Sequence, residues 1–174
     1  LAEQLERLFE GSYLDRICRA VQLNIPWPDK RELTKAREKM PELELIIQLS
    51  HTAMQEMTPE EIALKTREYG ELANYVLIDP SGGRGIEFDM DISLEVSKAV
   101  NLELPKTIVG FAGGFRGENV AQRTKLLKEK LRSKRFCIDA EGGLRDKISD
   151  NYGDDLLNIE KVRRYLQEAS KILT

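Results

Sequence analysis

Five short apolar runs, each followed by a segment with helical spacing, constrain this chain more than any other feature of its sequence. The runs cover residues 20–25, 43–49, 75–78, 107–111 and 135–138. Each is too short for a helix and apolar throughout rather than alternating, which is the habit of parallel strands covered on both faces. Between them the spacing predicts helices over 1–17 (Leu1, Leu5, Leu8 and Phe9 on one face), 30–39 behind an Asp29 cap, 58–72, 93–100, 118–131 and 158–173. Thr58-Pro59-Glu60-Glu61 reads as a capping box, with proline at the first helical position. Asn158 reads as the cap of the last helix. Strand starts near 20, 43, 75, 107 and 135 lie a few tens of residues apart, one βα unit each.

Two architectures fit such alternation, an open doubly wound sheet and part of a closed barrel. A dinucleotide-binding sheet would carry its glycine-rich turn after the first strand. Here the first strand runs into Pro26-Trp27-Pro28, and the glycine pairs follow the third, fourth and fifth strands. Glycine loops after the last two strands are the phosphate signature of barrels. The expected fold is therefore α/β, of the TIM (β/α)8-barrel type, present over about five βα units in one domain, 1–174. A complete barrel takes about 250 residues. The chain opens at Leu1 inside a helical pattern, so the expectation is a piece of a longer protein or a homo-oligomer, because five strands leave edges uncovered.

Composition removes several classes of function. Lys plus Arg is 27 against 30 Asp plus Glu, a formal net charge of −3, which gives no reason to expect nucleic acid as a partner. No apolar run reaches the roughly 20 residues of a membrane helix, and no signal-peptide pattern is present. The two cysteines, Cys18 and Cys137, stand far apart without metal spacing, and His51 is the one histidine. The expected setting is cytoplasmic, with no metal and no organic cofactor.

Any anion site must then be local. Gly113-Gly114 and Gly142-Gly143 each end a strand, where a missing Cβ lets backbone N–H groups approach phosphate oxygens. One such pair alone reads as a tight βα turn; two pairs after consecutive terminal strands favour phosphate. Asp79 and Asp139 end the third and fifth strands. Each reads either as a carboxyl group facing the mouth of the barrel or as a turn cap. Cys137 reads as core, Cys18 as structural and Trp27 as a packing anchor. His51, in the loop after the second strand, faces the same mouth and reads as solvated. Arg84 and Arg116 stand in glycine loops and read as surface residues, and 125–135 as the solvated face of a helix.

At these residues the sequence resembles phosphoribosylanthranilate isomerase, a barrel enzyme of tryptophan biosynthesis. Val21-Gln22-Leu23 is similar to its VQLHG strand, with Asn24 in place of histidine. Leu77-Ile78-Asp79 with Gly82-Gly83-Arg84-Gly85 through Asp89 resembles its LLLD and GGTG segments. Ala112-Gly113-Gly114-Phe115 with Glu118-Asn119-Val120 resembles AGGLxPENV, and Ile138-Asp139-Ala140-Glu141-Gly142 resembles VDVSSG. The start of its last helix is matched by Leu157 to Val162. The order holds over about residues 20–170, and the register matches family strands four to eight. The resemblance implies an intramolecular oxidoreductase acting by Amadori rearrangement of an N-linked ribosyl phosphate. Asp79 would be the general acid that opens the furanose ring, and Asp139 a second active-site acid. Gly113, Gly114 and Gly142 would line the phosphate site. The family's cysteine base and its carboxylate-holding arginine lie on strands without counterparts here. Arg84, Pro80 and Ala140-Glu141 also depart from the pattern. Two alternatives stand beside the isomerase: a divergent or non-catalytic barrel that binds a phosphorylated ligand, or an inactive fragment. An epimerase or aldolase would want a metal cluster or a strand-end lysine, and none is present at the strand ends.

Overall fold

The structure is a computed structural model that describes residues 1–81, 89–132, 135–149 and 154–173, with the backbone alone for Asp15. Strands β1 (Ala20–Leu23), β2 (Glu44–Ser50), β3 (Tyr75–Asp79), β4 (Ile108–Phe111) and β5 (Phe136–Ile138) form one parallel sheet in the order β1-β2-β3-β4-β5. Helices alternate with them. α1 (Ala2–Phe9) and α2 (Leu14–Ile17) precede β1, and α3 (Lys30–Lys39) follows it. Then come α4 (His51–Glu56), α5 (Pro59–Arg67), α6 (Met90–Glu103), α7 (Val120–Leu131) and α8 (Ile159–Leu173).

That strand order decides between the two architectures. A doubly wound sheet reverses its order at a switch point, which sends helices to both faces. A monotone order with right-handed crossovers puts every helix on one face, as on the outside of a barrel. β2 records the result in its burial: Leu45, Ile47 and Leu49 are buried, whereas Glu44, Ile46, Gln48 and Ser50 are half-buried. The first set packs under the helices and the second lines the inner face. The fold is an α/β barrel segment. Among the described residues β1 and β5 each pair on one side only, so the barrel is not closed.

The core lies between sheet and helices. Val76, Ile78, Val109 and Phe111 project outward from β3 and β4 onto helices whose Ile62, Val100, Val120 and Leu127 are fully buried. On the inner face Leu77, Gly110 and Cys137 occupy one row of the register. A Cβ on Gly110 would lie 2.8 Å from both Leu77 Cδ1 and Cys137 Sγ, so this row closes only around glycine.

Local chemistry explains most boundaries. Asp29 accepts from the Arg31 amide at 2.8 Å and starts α3. Thr58 Oγ1 accepts from the Glu61 amide at 3.2 Å while Glu61 returns a bond to the Thr58 amide at 2.8 Å, a complete capping box. Asn158 Oδ1 accepts from the amides of Glu160 and Lys161 at 2.9 and 3.1 Å and starts α8. Three expectations are corrected. The expected helix over 1–17 breaks after Phe9, where Gly11 takes φ +65°. The helix after Thr58 ends at Arg67 rather than near 72, in turns closed by the Tyr69 and Leu72 amides. His51 opens α4 instead of lying in a loop, because the Ser50 side chain caps the Ala53 amide at 3.4 Å. A 3-10 turn (Gly142–Leu144) and a small antiparallel pair, β6 (Arg145–Asp146) with β7 (Leu156–Leu157), were not expected.

Candidate active site

Parallel strands in register deliver the ends of β3, β4 and β5 to one edge of the sheet. Ile78 pairs with Phe111 and Phe111 with Ile138, so Asp79, Ala112 and Asp139 stand side by side at that edge. Asp79 and Asp139 are two strand spacings apart, roughly 10 Å. The cleft they share has a volume of about 230 Å³. Its floor is Asp79, Ser81, Ala112 and Asp139. One wall is Gly113, Gly114, Glu141, Gly142 and Gly143; the other is Gln22, Asn24, Ile25, Pro26, Gln48 and Ser50. Asp79, Asp139 and the four glycines expected at the site all line this one cleft.

Asp79 is buried and surrounded by donors. The Ser81 amide and hydroxyl donate to Oδ1 at 3.0 and 2.7 Å, and Gln48 Nε2 donates to Oδ2 at 2.6 Å. Gln48 is in turn held by Gln22, whose Nε2 donates to Gln48 Oε1 at 3.3 Å. Asp139 differs. Burial raises its pKa first, the Asp79 carboxylate adds to the rise and Glu141 adds more, so it keeps its proton above the ordinary carboxyl range. Burial also pushes the Cys137 thiol up to about 11, with the Asp139 charge second, so at neutral pH it is a packed thiol and no nucleophile. Tyr165 on α8 is buried and its hydroxyl pKa is likewise raised by burial and then by Asp139.

The glycine wall is built by backbone direction. Gly113 and Gly114 have φ of 106° and 65°, which L side chains rarely adopt. Arg123 Nη1 donates to the Gly113 carbonyl at 3.1 Å, and Asn119 Nδ2 donates to the Gly114 carbonyl at 2.8 Å. In a trans peptide the N–H points opposite to the C=O. The amides of Gly114 and Phe115 are thereby turned away from α7. The Arg123 guanidinium polarises the first of these peptides, which makes the Gly114 N–H a better donor to an anion. The second glycine turn docks on the first: a Cβ on Gly143 would lie 2.3 Å from the Phe115 carbonyl oxygen. Glu141, a carboxylate of this wall, accepts from Arg145 Nη2 at 3.4 Å.

The remaining candidates are elsewhere. His51 is exposed on α4 and does not line the cleft. Arg116 is exposed and pairs with Glu118 at 3.9 Å. Trp27, at φ +50°, packs on Tyr69 with ring centroids 6.1 Å apart, under Lys65 Nζ at 4.4 Å, and so anchors the loop that carries Ile25 and Pro26. Arg84 with Gly82, Gly83 and Gly85 lies outside the described residues. Gln22, Gln48 and Arg123 were missed from the sequence. The strand parity that groups Gln22, Gln48 and Asp79 on the inner face was the available signal for the first two; Arg123 left none.

Comparison with known structures agrees with this fold. The chain is similar to the structure of N-(5'-phosphoribosyl)anthranilate isomerase from Pyrococcus furiosus. The two superpose with a TM-score of 0.52 at 17% identity, covering 99% of this chain and 82% of that one. At that identity the likeness is one of fold. Neither a protein-family model nor a curated protein matches the sequence. Among the described residues no helix is long and apolar enough to cross a membrane. No group of three or more His, Cys, Asp or Glu side chains among them is placed to hold a metal ion.

Proposed function

We propose that this cleft binds a phosphorylated sugar and isomerises it by proton transfer, as an Amadori rearrangement of an N-linked ribosyl phosphate. The observation that supports the reading is a pair of carboxyl groups in unlike surroundings at one edge of the sheet: burial, then Asp79 and Glu141, raise the Asp139 pKa, whereas Asp79 is ringed by donors, and both line the same cleft. Two carboxyl groups in different surroundings are the usual division of acid from base. Asp139 gives its proton to the ring oxygen as the C1–O bond breaks and the substituent nitrogen forms a C=N bond. Asp79 removes the C2 proton, and the electron pair moves into C1=C2 as the nitrogen takes back its lone pair. Asp79 then returns its proton to C1, and the C2 hydroxyl proton restores Asp139. Atoms and electrons balance within the substrate, so these steps need no cofactor. This assignment exchanges the roles that the resemblance implies for Asp79 and supplies the base from within the chain.

The phosphate sits at Gly113, Gly114, Gly142 and Gly143, with the amide of Gly114 as donor and Arg123 behind it. In this reading the five strands correspond to the last five of an eight-stranded barrel, and the reaction belongs to tryptophan biosynthesis; the similarity of fold to N-(5'-phosphoribosyl)anthranilate isomerase supports it. One observation favours a binding-only relative: both Asp79 oxygens already accept from protein donors, as in a structural Asx turn. Calorimetric titration with ribose 5-phosphate and turnover of an N-linked ribosyl phosphate test the proposal together. Gly142→Val is expected to weaken binding by about tenfold or more, since a branched side chain takes the space of the phosphate oxygens. Asp79→Asn is expected to leave affinity within about twofold while turnover falls by about 100-fold or more. Equal affinity in wild type and Gly142→Val would reduce the glycine pairs to turns, and turnover unchanged in Asp79→Asn would remove the catalytic role.

A further inference from the structure

We infer that Gln48, itself held by Gln22, is the positioning residue that sets the plane of the Asp79 carboxylate for proton transfer; this rests on the isomerase reading of the same cleft. Gln48 stands where an inner-face position of a barrel strand ordinarily carries a branched apolar side chain. It is half-buried in β2 between Ile46 and Ser50, and an amide placed there costs stability unless its polar atoms are bonded. Both ends of the amide are bonded, and the strand register explains how. Gln22 pairs with Ile46 and Gln48 pairs with Leu77, so each glutamine lies one inward-facing position below the residue it reaches on the next strand. Gln22 reaches Gln48, and Gln48 reaches Asp79.

Hydrogen-bond polarity runs one way along this line. A carboxylate only accepts, so the Gln48 atom 2.6 Å from Asp79 Oδ2 is its amide nitrogen. Gln48 Oε1 is thereby left toward β1, where it accepts from Gln22 Nε2 at 3.3 Å. The same Gln22 nitrogen donates to Asn24 Oδ1 at 2.8 Å, which orients the Gln22 amide in turn. The two oxygens of Asp79 are therefore held from different places. Ser81 holds Oδ1 from two residues along the chain, a local turn that moves with Asp79. Gln48 holds Oδ2 from the neighbouring strand, 31 residues away in sequence. The last side-chain torsion of an aspartate is broad, and a base works best when a lone pair meets the proton in line. A bond from a second strand fixes that torsion against the sheet. Glutamine also suits the task chemically: its amide donates to the carboxylate without titrating, so it takes no proton from the base.

Single-turnover rates and KM on N-(5'-phosphoribosyl)anthranilate, with calorimetric affinity for ribose 5-phosphate, test this. Gln48→Met keeps the length of the side chain and removes the donor. Its rate is expected to fall about tenfold or more while KM and ribose 5-phosphate affinity stay within about twofold, since orientation is lost and binding is not. Gln22→Met, at an exposed position, is expected to slow the rate about threefold alone and to add nothing in Gln48→Met, because it acts through Gln48. A Gln48→Met rate within about twofold of wild type overturns the inference. So does an equal loss of rate and ribose 5-phosphate affinity, which marks a residue that only holds the fold, and so do effects of the two substitutions that multiply. Should Gln48→Met not fold, Gln22→Met decides, and an unchanged rate there overturns the inference. Each of these results leaves the isomerase reading standing, because wild type turns over in all of them. Wild type that binds ribose 5-phosphate without turnover, or binds nothing, overturns that reading and the inference with it.

Discussion

Asp139 and Asp79 are the same residue type at equivalent strand ends, yet their surroundings divide them. Oxygen atoms of Asp79 meet an amide, a hydroxyl and a side-chain nitrogen, whereas Asp139 meets burial and two like charges that outweigh one backbone bond from Ala140. The consequence for stability has a definite sign. The Asp139 pKa is raised in the folded chain above its ordinary 3.8, so the folded state binds more protons than the unfolded state between those two values. Its contribution is fully present below pH 3.8 and is lost as pH rises through the folded value. Asp139→Asn removes this titration. Its melting temperature is expected to exceed that of the wild type at pH 7, with the gap narrowing steadily as pH falls toward 4. A gap that is constant with pH would mean that Asp139 does not titrate differently on folding. Which residues were legible follows from the same physics. Strand-end position alone marks Asp79, Asp139 and the glycine pairs, because a strand end in a barrel has one place to point. Gln48 was hidden inside an apolar run, and only strand pairing shows that it shares a face with Asp79. Arg123 was hidden in a basic helix, since its partner is a carbonyl fixed by the unusual φ of Gly113.

Helix starts were read well because a cap is a local event between side chains and amides a few residues apart. Asp29, Thr58 and Asn158 each accept the bonds their positions imply. Helix ends and short elements were read less well. α1 stops at a glycine turn and α4 is only six residues long, below the length at which periodicity can be seen. The β6–β7 pair joins two-residue strands ten residues apart, which no local pattern encodes. The capping box of α5 allows a measurement at this scale. Thr58→Ala removes the acceptor for the Glu61 amide and is expected to lower unfolding free energy by about 1 kcal/mol. The urea midpoint should fall with an unchanged slope, because no new surface is exposed in the native state. No shift in midpoint would show that the first turn of α5 is held by tertiary packing with Ile62 and Ala63 rather than by its cap.

For the whole molecule the decisive quantity was strand order, which individual segments do not contain. The alternation of strands and helices fits an open sheet and a barrel equally, and the position of the glycine pairs favours the barrel. The order β1-β2-β3-β4-β5 then places all helices on one face and the candidate site at the edge where the strands end. The same order has a cost. Among the described residues nothing pairs with the outer edges of β1 and β5, and the inner face holds Ile46, Tyr75, Ile108 and Cys137 only half-buried. Unpaired parallel edges with an apolar face between them are templates for pairing with another chain. Around the β5 end, Leu156, Leu157, Ile159 and Leu166 are also more than half exposed, which adds apolar surface beside that edge. The isolated chain is therefore expected to self-associate. Light scattering behind size exclusion, with loading from about 1 to about 100 µM, should give a mean mass that rises with concentration above the 19.9 kDa of one chain. A constant 19.9 kDa across that range would mean that the sheet edges are protected without a partner, and the expectation would fail.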